Sequence, residues 1–191
     1  MINLILFGLP GAGKGTQAER LEHKYNLKHI STGDVFRYNI KNETPLGKLA
    51  KKYIDEGQLV PDEVTINMLH SEVEKNKSSK GFIFDGFPRT TAQANDLDNL
   101  LEKKGSEIHA MLALKVDDEI LVKRLLERGK TSGRVDDANE HIIRKRMKVY
   151  YDQSEVVKTH YKKAGKFFEI DGVGTLDEVT SRLSAVIDQV K

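Results

Sequence analysis

The 191-residue chain contains no cysteine, which excludes disulfide bonds, thiolate zinc sites and cysteine nucleophiles and fits a reducing compartment. It also has little excess of one charge, since 31 lysine and arginine residues balance 29 acidic ones to a net charge of +2. We therefore expect no broad basic surface for nucleic acid or an anionic membrane. No apolar run approaches the ~20 residues of a membrane-spanning helix. These absences favour a cytoplasmic protein that binds neither nucleic acid nor membrane.

Proline is scarce as well, and the four prolines are too scattered to form a proline-rich linker. The mostly apolar segment Met1–Phe7 lacks the basic leader of a signal peptide and runs into glycine at Gly8, so a buried strand is expected there. Further continuous apolar runs alternate with segments of helical periodicity, and such runs are typical of strands covered on both faces. The predicted strands are Ile2–Phe7, Leu27–Ile30, Phe82–Phe84, Met111–Val116 and Phe167–Ile170.

The alternation of strands with helices predicts an α/β fold with a parallel sheet and crossover helices. The last predicted helix opens with a capping box, in which Thr175 is followed three residues later by Glu178. In folds of this class, ligands bind outside the carboxyl ends of the strands. Residues that follow the strands are therefore the first candidates for a functional site.

A glycine-rich loop from Gly8 to Thr16 lies between the first predicted strand and a helical pattern, which is the context of a P-loop. Glycines let backbone N–H groups converge on phosphate oxygens, and the helix N-terminus adds about half a positive charge. Lys14 adds a full charge for the β- and γ-phosphates. In the general pattern a hydroxyl residue follows the lysine directly. Here Gly15 intervenes, so Thr16 is expected to contact a phosphate rather than to ligate magnesium.

The loop sequence resembles that of nucleoside-monophosphate kinases, above all the short-lid adenylate kinases. Three further segments match this family in order: Ser31–Arg37, Phe84–Arg89 followed by Gln93, and Gly133–Asp137 followed by Arg146. The resemblance spans nearly the whole chain, and the two signatures together are highly specific. It implies an α/β fold with a P-loop, a parallel five-stranded sheet flanked by helices, an inserted AMP-binding lobe and a short lid.

The same resemblance implies how a single domain is divided. The core is expected at residues 1–30, 61–127 and 138–191, the lobe that binds the nucleoside monophosphate at 31–60, and the lid at 128–137. Gly129 and Gly133 are expected to be loop glycines that act as hinges of this lid. Larger members of the family carry an extra lid subdomain that sometimes holds zinc on cysteines, so no zinc is expected here. The family expectation is a monomer.

The activity implied by the resemblance is reversible phosphoryl transfer from MgATP to AMP, giving two ADP and supporting adenine-nucleotide homeostasis. The AMP phosphate, with a second pKa near ~6, is already an anionic nucleophile, so no general base is needed. Catalysis then depends on positioning and on cations that stabilise charge. By the resemblance, the catalytic residues are Lys14, Asp85, Arg89, Arg124, Arg128, Arg134 and Arg146.

Two nucleotide sites follow from the same resemblance. The ATP-binding residues are Gly11, Ala12, Gly13, Lys14, Gly15, Thr16, Arg124, Arg128 and Gly174. The AMP-binding residues are Thr32, Arg37, Gln58, Leu59, Val60, Gly86, Arg89, Gln93, Arg134 and Arg146. Thr32 and Gln93 match the positions that read adenine. Thr65 is expected to line the AMP pocket, at a position where an apolar residue would be expected.

Magnesium is the one cofactor expected, bound as MgATP. Asp85 ends an apolar strand beside the P-loop, where a carboxylate can order the waters of hydrated Mg²⁺ without ligating it directly. A turn or helix-capping aspartate is the alternative interpretation of this residue. The six histidines show no metal-ligand spacing and are interpreted as surface or core residues.

Two other functions remain open at this level. A UMP/CMP kinase would share the fold and the cations, and only Thr32 and Gln93 favour adenine. A P-loop regulatory ATPase would need neither the segment Asp85–Arg89 nor the helical pair Arg124 and Arg128. The arginines expected to be ordinary surface cations are Arg20, Arg144, which can pair with Glu140 one turn earlier, and Arg182.

Overall fold

The computed structural model describes residues 1–191 and consists of five strands that alternate with helices. The strands are β1 (Ile2–Phe7), β2 (Lys28–Ser31), β3 (Gly81–Asp85), β4 (Ala110–Lys115) and β5 (Phe167–Asp171). The helices are α1 (Lys14–Tyr25), α2 (Thr32–Lys41), α3 (Pro45–Ile54), α4 (Asp62–Lys75), α5 (Thr91–Glu102), α6 (Asp118–Ser132), α7 (Glu140–Val149), α8 (Val156–Lys163) and α9 (Leu176–Val190). A 3₁₀ turn covers Val135–Asp137, and a π-helical turn covers Tyr150–Ser154. Each predicted strand is confirmed to within one residue at either end.

The strands form one parallel sheet in the order β2-β3-β1-β4-β5. The central strand β1 pairs with β3 on one side and β4 on the other, so the chain reverses its direction of winding at β1. Reversal of this kind opens a crevice beyond the carboxyl ends of the two central strands. The loop after β1 and the residues after β3 therefore lie at the same end of the sheet, as the predicted P-loop and Asp85 require.

Both faces of the sheet are buried, which explains why its strands are continuous apolar runs. Leu4 and Leu6 of β1 belong to a cluster of 21 buried residues that α1, α6 and α9 complete. Ile5 and Phe7 point to the opposite face and belong to a cluster of 16 residues with α4, α5 and α8. No helix of the chain is both long enough and apolar enough to cross a membrane.

Helices α2 and α3 share a small core of their own. It consists of Phe36, Ala50, Val60 and Met68, and it is separate from the two clusters on the sheet. The helices approach closely because α3 carries a buried glycine, Gly47, next to the carbonyl of Asn39. The segment 31–60 is thus packed mainly within itself, apart from Met68 of α4.

Helix α6 continues further than expected, through Gly129 to Ser132. The expectation that Gly129 is a loop glycine is therefore wrong, whereas Gly133 does end the helix in a left-handed conformation with φ 66°. The physical reason for a glycine at 129 is close packing, because an added Cβ would lie 2.5 Å from the backbone oxygen of Asp137. At the other end of the chain, the predicted capping box of Thr175 and Glu178 is confirmed.

This packing predicts that Gly129→Ala destabilises the protein although alanine is the better helix former by about 1 kcal/mol. The new methyl group must displace the Asp137 backbone, and overpacking of this kind costs about 1–3 kcal/mol. We expect urea denaturation to show a net loss of stability. Lys123→Ala, at an exposed position of the same helix without a side-chain hydrogen bond or ion pair, is the matched control and should be close to neutral. Equal stability of Gly129→Ala and the wild type would contradict the role of close packing.

Candidate active site

A cleft of about 490 Å³ opens at the carboxyl ends of β1 and β3. Its walls come from the loop after β1, the start of α2, the residues after β3, and helices α6 and α7. The predicted residues that line it are Gly11, Gly13, Lys14, Gly15, Thr16, Thr32, Arg37, Gln58, Leu59, Val60, Thr65, Asp85, Gly86, Arg89, Gln93, Arg124, Arg128, Arg134 and Arg146. Residues far apart in the sequence are thus gathered in one cavity.

Two predicted ATP-binding residues, Ala12 and Gly174, do not line this cleft. Ala12 is 3% exposed because its methyl group packs into the core below the loop, and its backbone N–H donates to the carbonyl of Leu9 at 3.2 Å. Gly174 lies in the exposed turn between β5 and α9. Strand β5 lies at the edge of the sheet, so the turn that follows it is distant from the central strands β1 and β3.

The loop after β1 is shaped to expose backbone N–H groups. Gly8, Gly11 and Gly13 have positive φ, and a Cβ on Gly8 would lie 2.7 Å from the carbonyl oxygen of Leu114. Helix α1 begins directly afterwards at Lys14, with no side-chain cap and no acidic residue in its first turn. Its first N–H groups and its partial positive charge therefore remain available for an anion.

Lys14 bends back over this loop. Its Nζ donates to the carbonyl oxygens of Gly8 at 2.8 Å and Leu9 at 3.0 Å. The pKa of Lys14 is lowered to about 8, mainly by burial; the charge of Asp85 opposes this shift, and the charges of Arg89 and Arg146 add to it. A polyanion in the cleft would restore the proton, because it favours the charged ammonium form.

This depressed pKa predicts that ATP binding at pH 8 is accompanied by proton uptake. About half of the lysine is neutral at that pH in the free protein, and a bound triphosphate raises its pKa, so about half a proton is taken up. Calorimetric titrations in buffers of different ionisation enthalpy measure this quantity. We expect uptake to vanish in Lys14→Met. A binding enthalpy of the wild type that does not depend on the buffer would contradict the prediction.

Arg89 lies where the segment after β3 turns toward α5. Its Nε donates to the carbonyl of Gly86 at 2.8 Å, which directs the guanidinium along the cleft wall. Burial lowers the pKa of Arg89 to about 10, and the nearby charge of Arg146 adds to the shift. The group stays protonated at neutral pH, but a site with such crowded cations is suited to an anionic ligand.

Two further arginines share one acidic residue at the mouth of the cleft. Arg37 of α2 donates to Asp34 at 2.7 Å, and Arg134, which follows α6, lies 3.6 Å from the same carboxylate. The contact joins the predicted lobe to the predicted lid. Arg124 of α6 is exposed, lines the cleft and has no carboxylate partner.

Two buried carboxylates hold the remaining arginines. Asp137 is fully buried and accepts from Arg128 Nε at 2.6 Å and from Arg146 Nη1 at 2.7 Å. The carboxylate of Asp136 lies 3.0 Å from the same Nη1, which also donates to the backbone carbonyl of Asp136 at 3.1 Å. Burial by itself raises the pKa of Asp137, but the hydrogen bond from Arg128 and the charge of Arg146 outweigh it, so the pKa is lowered. Sequence reasoning noted this acidic pair only as part of a motif and gave it no role.

Asp85 ends β3 directly beside the P-loop, 3.7 Å from where a Cβ of Gly15 would be. It is 8% exposed, and its Oδ2 lies 3.5 Å from Nε2 of His29, a nitrogen that has no hydrogen-bond partner. No group of three acidic or histidine side chains surrounds it. One carboxylate facing the phosphate loop suits a hydrated Mg²⁺ held through water. His29 was not singled out from the sequence.

Thr32, Thr65 and Gln93 lie on the side of the cleft near α4. The hydroxyl of Thr32 donates to the carbonyl of Gly86 at 3.0 Å. The hydroxyl of Thr65 donates to the carbonyl of Pro61 at 3.2 Å, so its polarity is satisfied within the first turn of α4. Gln93 is 2% exposed and bonds to Asp62, a residue that sequence reasoning did not single out. Thr65 can therefore line the pocket without leaving its hydroxyl unpaired.

The three arginines interpreted as surface cations are confirmed as such. Arg144 donates to Glu140 at 2.8 Å, as expected, and also to Glu119 at 3.0 Å. Arg20 pairs with Asp177, and Arg182 donates to the backbone of Asp171 and Val173. None of the three lines the cleft.

Comparison with known proteins identifies relatives over the full length of the chain. The family model described as adenylate kinase matches residues 6–166. A protein named adenylate kinase from Flavobacterium psychrophilum is 62% identical over 190 residues, and one of the same name from Flavobacterium johnsoniae is 56% identical over 190, each match covering 100% of both chains. An adenylate kinase from Bacteroides fragilis is 50% identical over 188 residues, covering 98% of this chain and 99% of its own.

Proposed function

The chain belongs to the adenylate kinase family, and we propose that it interconverts ATP plus AMP with two ADP by bringing both nucleotides to the cation-lined cleft. The observation that carries this proposal is the convergence of Lys14 and six arginines on one cavity beside a P-loop. Two polyanions that must approach each other need such a concentration of positive charge. Arginine also grips phosphate oxygens two at a time.

The chemistry needs no general base from the chain, because the AMP phosphate is itself the nucleophile. One of its oxygens attacks the γ-phosphorus of ATP while the bond from that phosphorus to the β,γ-bridging oxygen breaks. We assign the P-loop N–H groups and Lys14 to the ATP phosphates, and Arg37 and Arg89 to the AMP phosphate. Arg128, Arg134 and Arg146 are assigned to the transferred group, whose charge they stabilise. Arg124 is placed beside ATP.

Asp85 is proposed to hold magnesium through its water shell, with Thr16 on a phosphate. When bound, the ion would neutralise part of the negative charge of the phosphates. Asp85 is suited to this task because its carboxylate projects beside Gly15 without an arginine partner of its own. His29 of β2 lies beside this carboxylate, with its Nε2 3.5 Å from Oδ2.

This role predicts that Asp85→Ala keeps the fold but loses most turnover with MgATP, by about 10² or more in kcat/KM. Asp85→Asn should lose nearly as much, because it keeps the shape of the side chain but not the charge. Steady-state kinetics over a range of Mg²⁺ concentrations, with circular dichroism as the folding check, provide the measurement. Kinetics like those of the wild type would refute the magnesium role.

We propose the division into core (1–30, 61–127 and 138–191), monophosphate-binding lobe (31–60) and lid (128–137) as the moving parts of the enzyme. The separate core of the lobe and the left-handed Gly133 at the end of α6 support it. Closure would exclude water, which otherwise competes with AMP for the γ-phosphate. A monomer is proposed as the expectation for this family, and the absence of cysteine supports a cytoplasmic location.

The proposal is tested by incubating the purified protein with MgATP and one monophosphate at a time (AMP, CMP, UMP or GMP) and separating the products by chromatography. We expect rapid formation of ADP with AMP and slow product formation with the other three. Preferential transfer to UMP or CMP would contradict the assignment of Thr32 and Gln93. Loss of ATP at a rate that does not depend on any acceptor would contradict the kinase function.

A further inference from the structure

The oxygen and the nitrogen of the Gln93 side-chain amide each form a hydrogen bond with a group that can act only as a donor or only as an acceptor. Its Nε2 donates to Asp62 Oδ1 at 2.8 Å, and its Oε1 accepts from the backbone N–H of Arg89 at 2.8 Å. The second oxygen of Asp62 accepts from the hydroxyl of Thr90 at 2.9 Å. That hydroxyl caps α5 by accepting from the backbone N–H of Gln93 at 3.2 Å. Asp62 is thereby fixed against the same turn that carries Gln93.

These partners allow only one orientation of the amide. A carboxylate can only accept hydrogen bonds, and a backbone N–H can only donate them. Rotating the amide by 180° would place its oxygen against Asp62 and its amino group against the N–H of Arg89. Gln93 is 2% exposed, so water could not compensate for the two lost bonds. The contact with Asp62 is also the charge-assisted one of the two.

The NH₂ group of the fixed amide can donate two hydrogen bonds and its oxygen can accept two, and each has formed one. One N–H and one lone pair therefore remain free. An amide edge of this kind pairs with a base that presents a ring nitrogen acceptor beside an amino donor. Adenine presents this pattern with N1 and its 6-amino group. Hypoxanthine has nearly the same shape but presents the reverse pattern, an N–H beside a carbonyl, and so do guanine and uracil on their corresponding edges.

We propose that Asp62 is a specificity-determining positioning residue, which orients Gln93 so that the pocket accepts amino bases and rejects keto bases of the same shape. The inference rests on the proposed AMP site and extends it to a residue that touches no substrate. Cytosine has the same donor and acceptor pattern as adenine, so discrimination against CMP must come from the size of the base. IMP, in contrast, has nearly the size of AMP, so discrimination against it depends on the orientation of the hydrogen-bonding groups, including the amide of Gln93.

The test measures kcat/KM for AMP and for IMP at saturating MgATP. In Asp62→Ala we expect the AMP/IMP ratio of kcat/KM to fall about tenfold or more, because one of the two restraints on the amide is gone. Asp62→Asn retains an oxygen that can accept from Gln93 Nε2 but adds an amino group that can donate, so it should keep more of the ratio than Asp62→Ala and less than the wild type. Glu63→Ala is the matched control, since it removes the same charge from the same helix end at an exposed side chain.

A role in folding alone would lower turnover of AMP and IMP equally and leave their ratio unchanged, and this result in Asp62→Ala would overturn the inference. Asp62→Ser, too short to reach Gln93 but well suited to a helix N-terminus, provides a second variant with the same expected loss of ratio. Failure of the wild type to phosphorylate AMP would instead refute the proposed function. A wild type selective for AMP whose ratio does not depend on Asp62 would refute only this inference.

Discussion

Replacing Lys14 with methionine should lower kcat for MgATP and AMP by about 10³, equivalent to about 4 kcal/mol of transition-state stabilisation. Methionine has a similar length, so it keeps most of the packing but removes the charge that bends over the P-loop. Stability should change little, because the lysine pays a desolvation cost in the fold that lowers its pKa to about 8. Steady-state kinetics combined with thermal unfolding measure both effects.

The matched control is Lys24→Met, at the other end of α1, where the side chain is exposed and donates to Ser184 Oγ. This variant should retain activity within about a factor of two, because surface substitutions distant from a site change little. A loss of activity in Lys14→Met that is no greater than in Lys24→Met would contradict the assignment of Lys14 to the ATP phosphates.

Removing the carboxylate of Asp137 should have the largest effect on stability and should also lower activity. Asp137→Ala leaves Arg128 and Arg146 without the buried acceptor that holds them, and we expect a loss of about 2–4 kcal/mol in the free energy of unfolding. The estimate lies below the range for a wholly buried pair because Arg128 is 37% exposed. Turnover should also fall by 10-fold or more, since two arginines lose their orientation.

The pH dependence of this effect has a definite sign. The pKa of Asp137 is lowered from 3.8 in the fold, so its stabilising contribution is fully present above pH 3.8 and is lost as the pH falls through the lower folded value. Urea denaturation of the wild type and Asp137→Ala should therefore differ at pH 5–7 and converge at strongly acidic pH. Asp152→Ala, which breaks an exposed pair with Lys148, should cost less than about 1 kcal/mol. Equal costs for the two variants would contradict the central role of Asp137.

The sheet and the P-loop could be predicted from the sequence because their signals are local. A short continuous apolar run such as Ile2–Phe7 is typical of a strand that is covered on both faces. Glycines at positions 8, 11 and 13 are required by positive φ, and they precede a helix as the phosphate-binding pattern demands. The convergence of the arginines came from the family resemblance, because a single arginine in a sequence does not reveal which surface it faces.

The groups that position the active residues could not be predicted. Asp62 meets Gln93 only because α4 and α5 pack side by side on the sheet, and no pattern joins residues 31 apart. Asp137 becomes a buried acceptor only when the 3₁₀ turn folds against α6 and α7. Gly129 is expected in a loop because the family resemblance places the lid at residues 128–137, but the glycine lies within α6, where close packing against the Asp137 backbone requires it.

The most direct test of the central claim is to follow the γ-phosphate of ATP labelled with ³²P. With AMP present, we predict that the label moves into the β-phosphate of ADP, that little inorganic phosphate forms, and that the transfer is lost in Lys14→Met. With AMP omitted, the label should remain in ATP. Release of labelled inorganic phosphate at the same rate with and without AMP would contradict the account, because it would mean that the cleft hydrolyses ATP rather than joining two nucleotides.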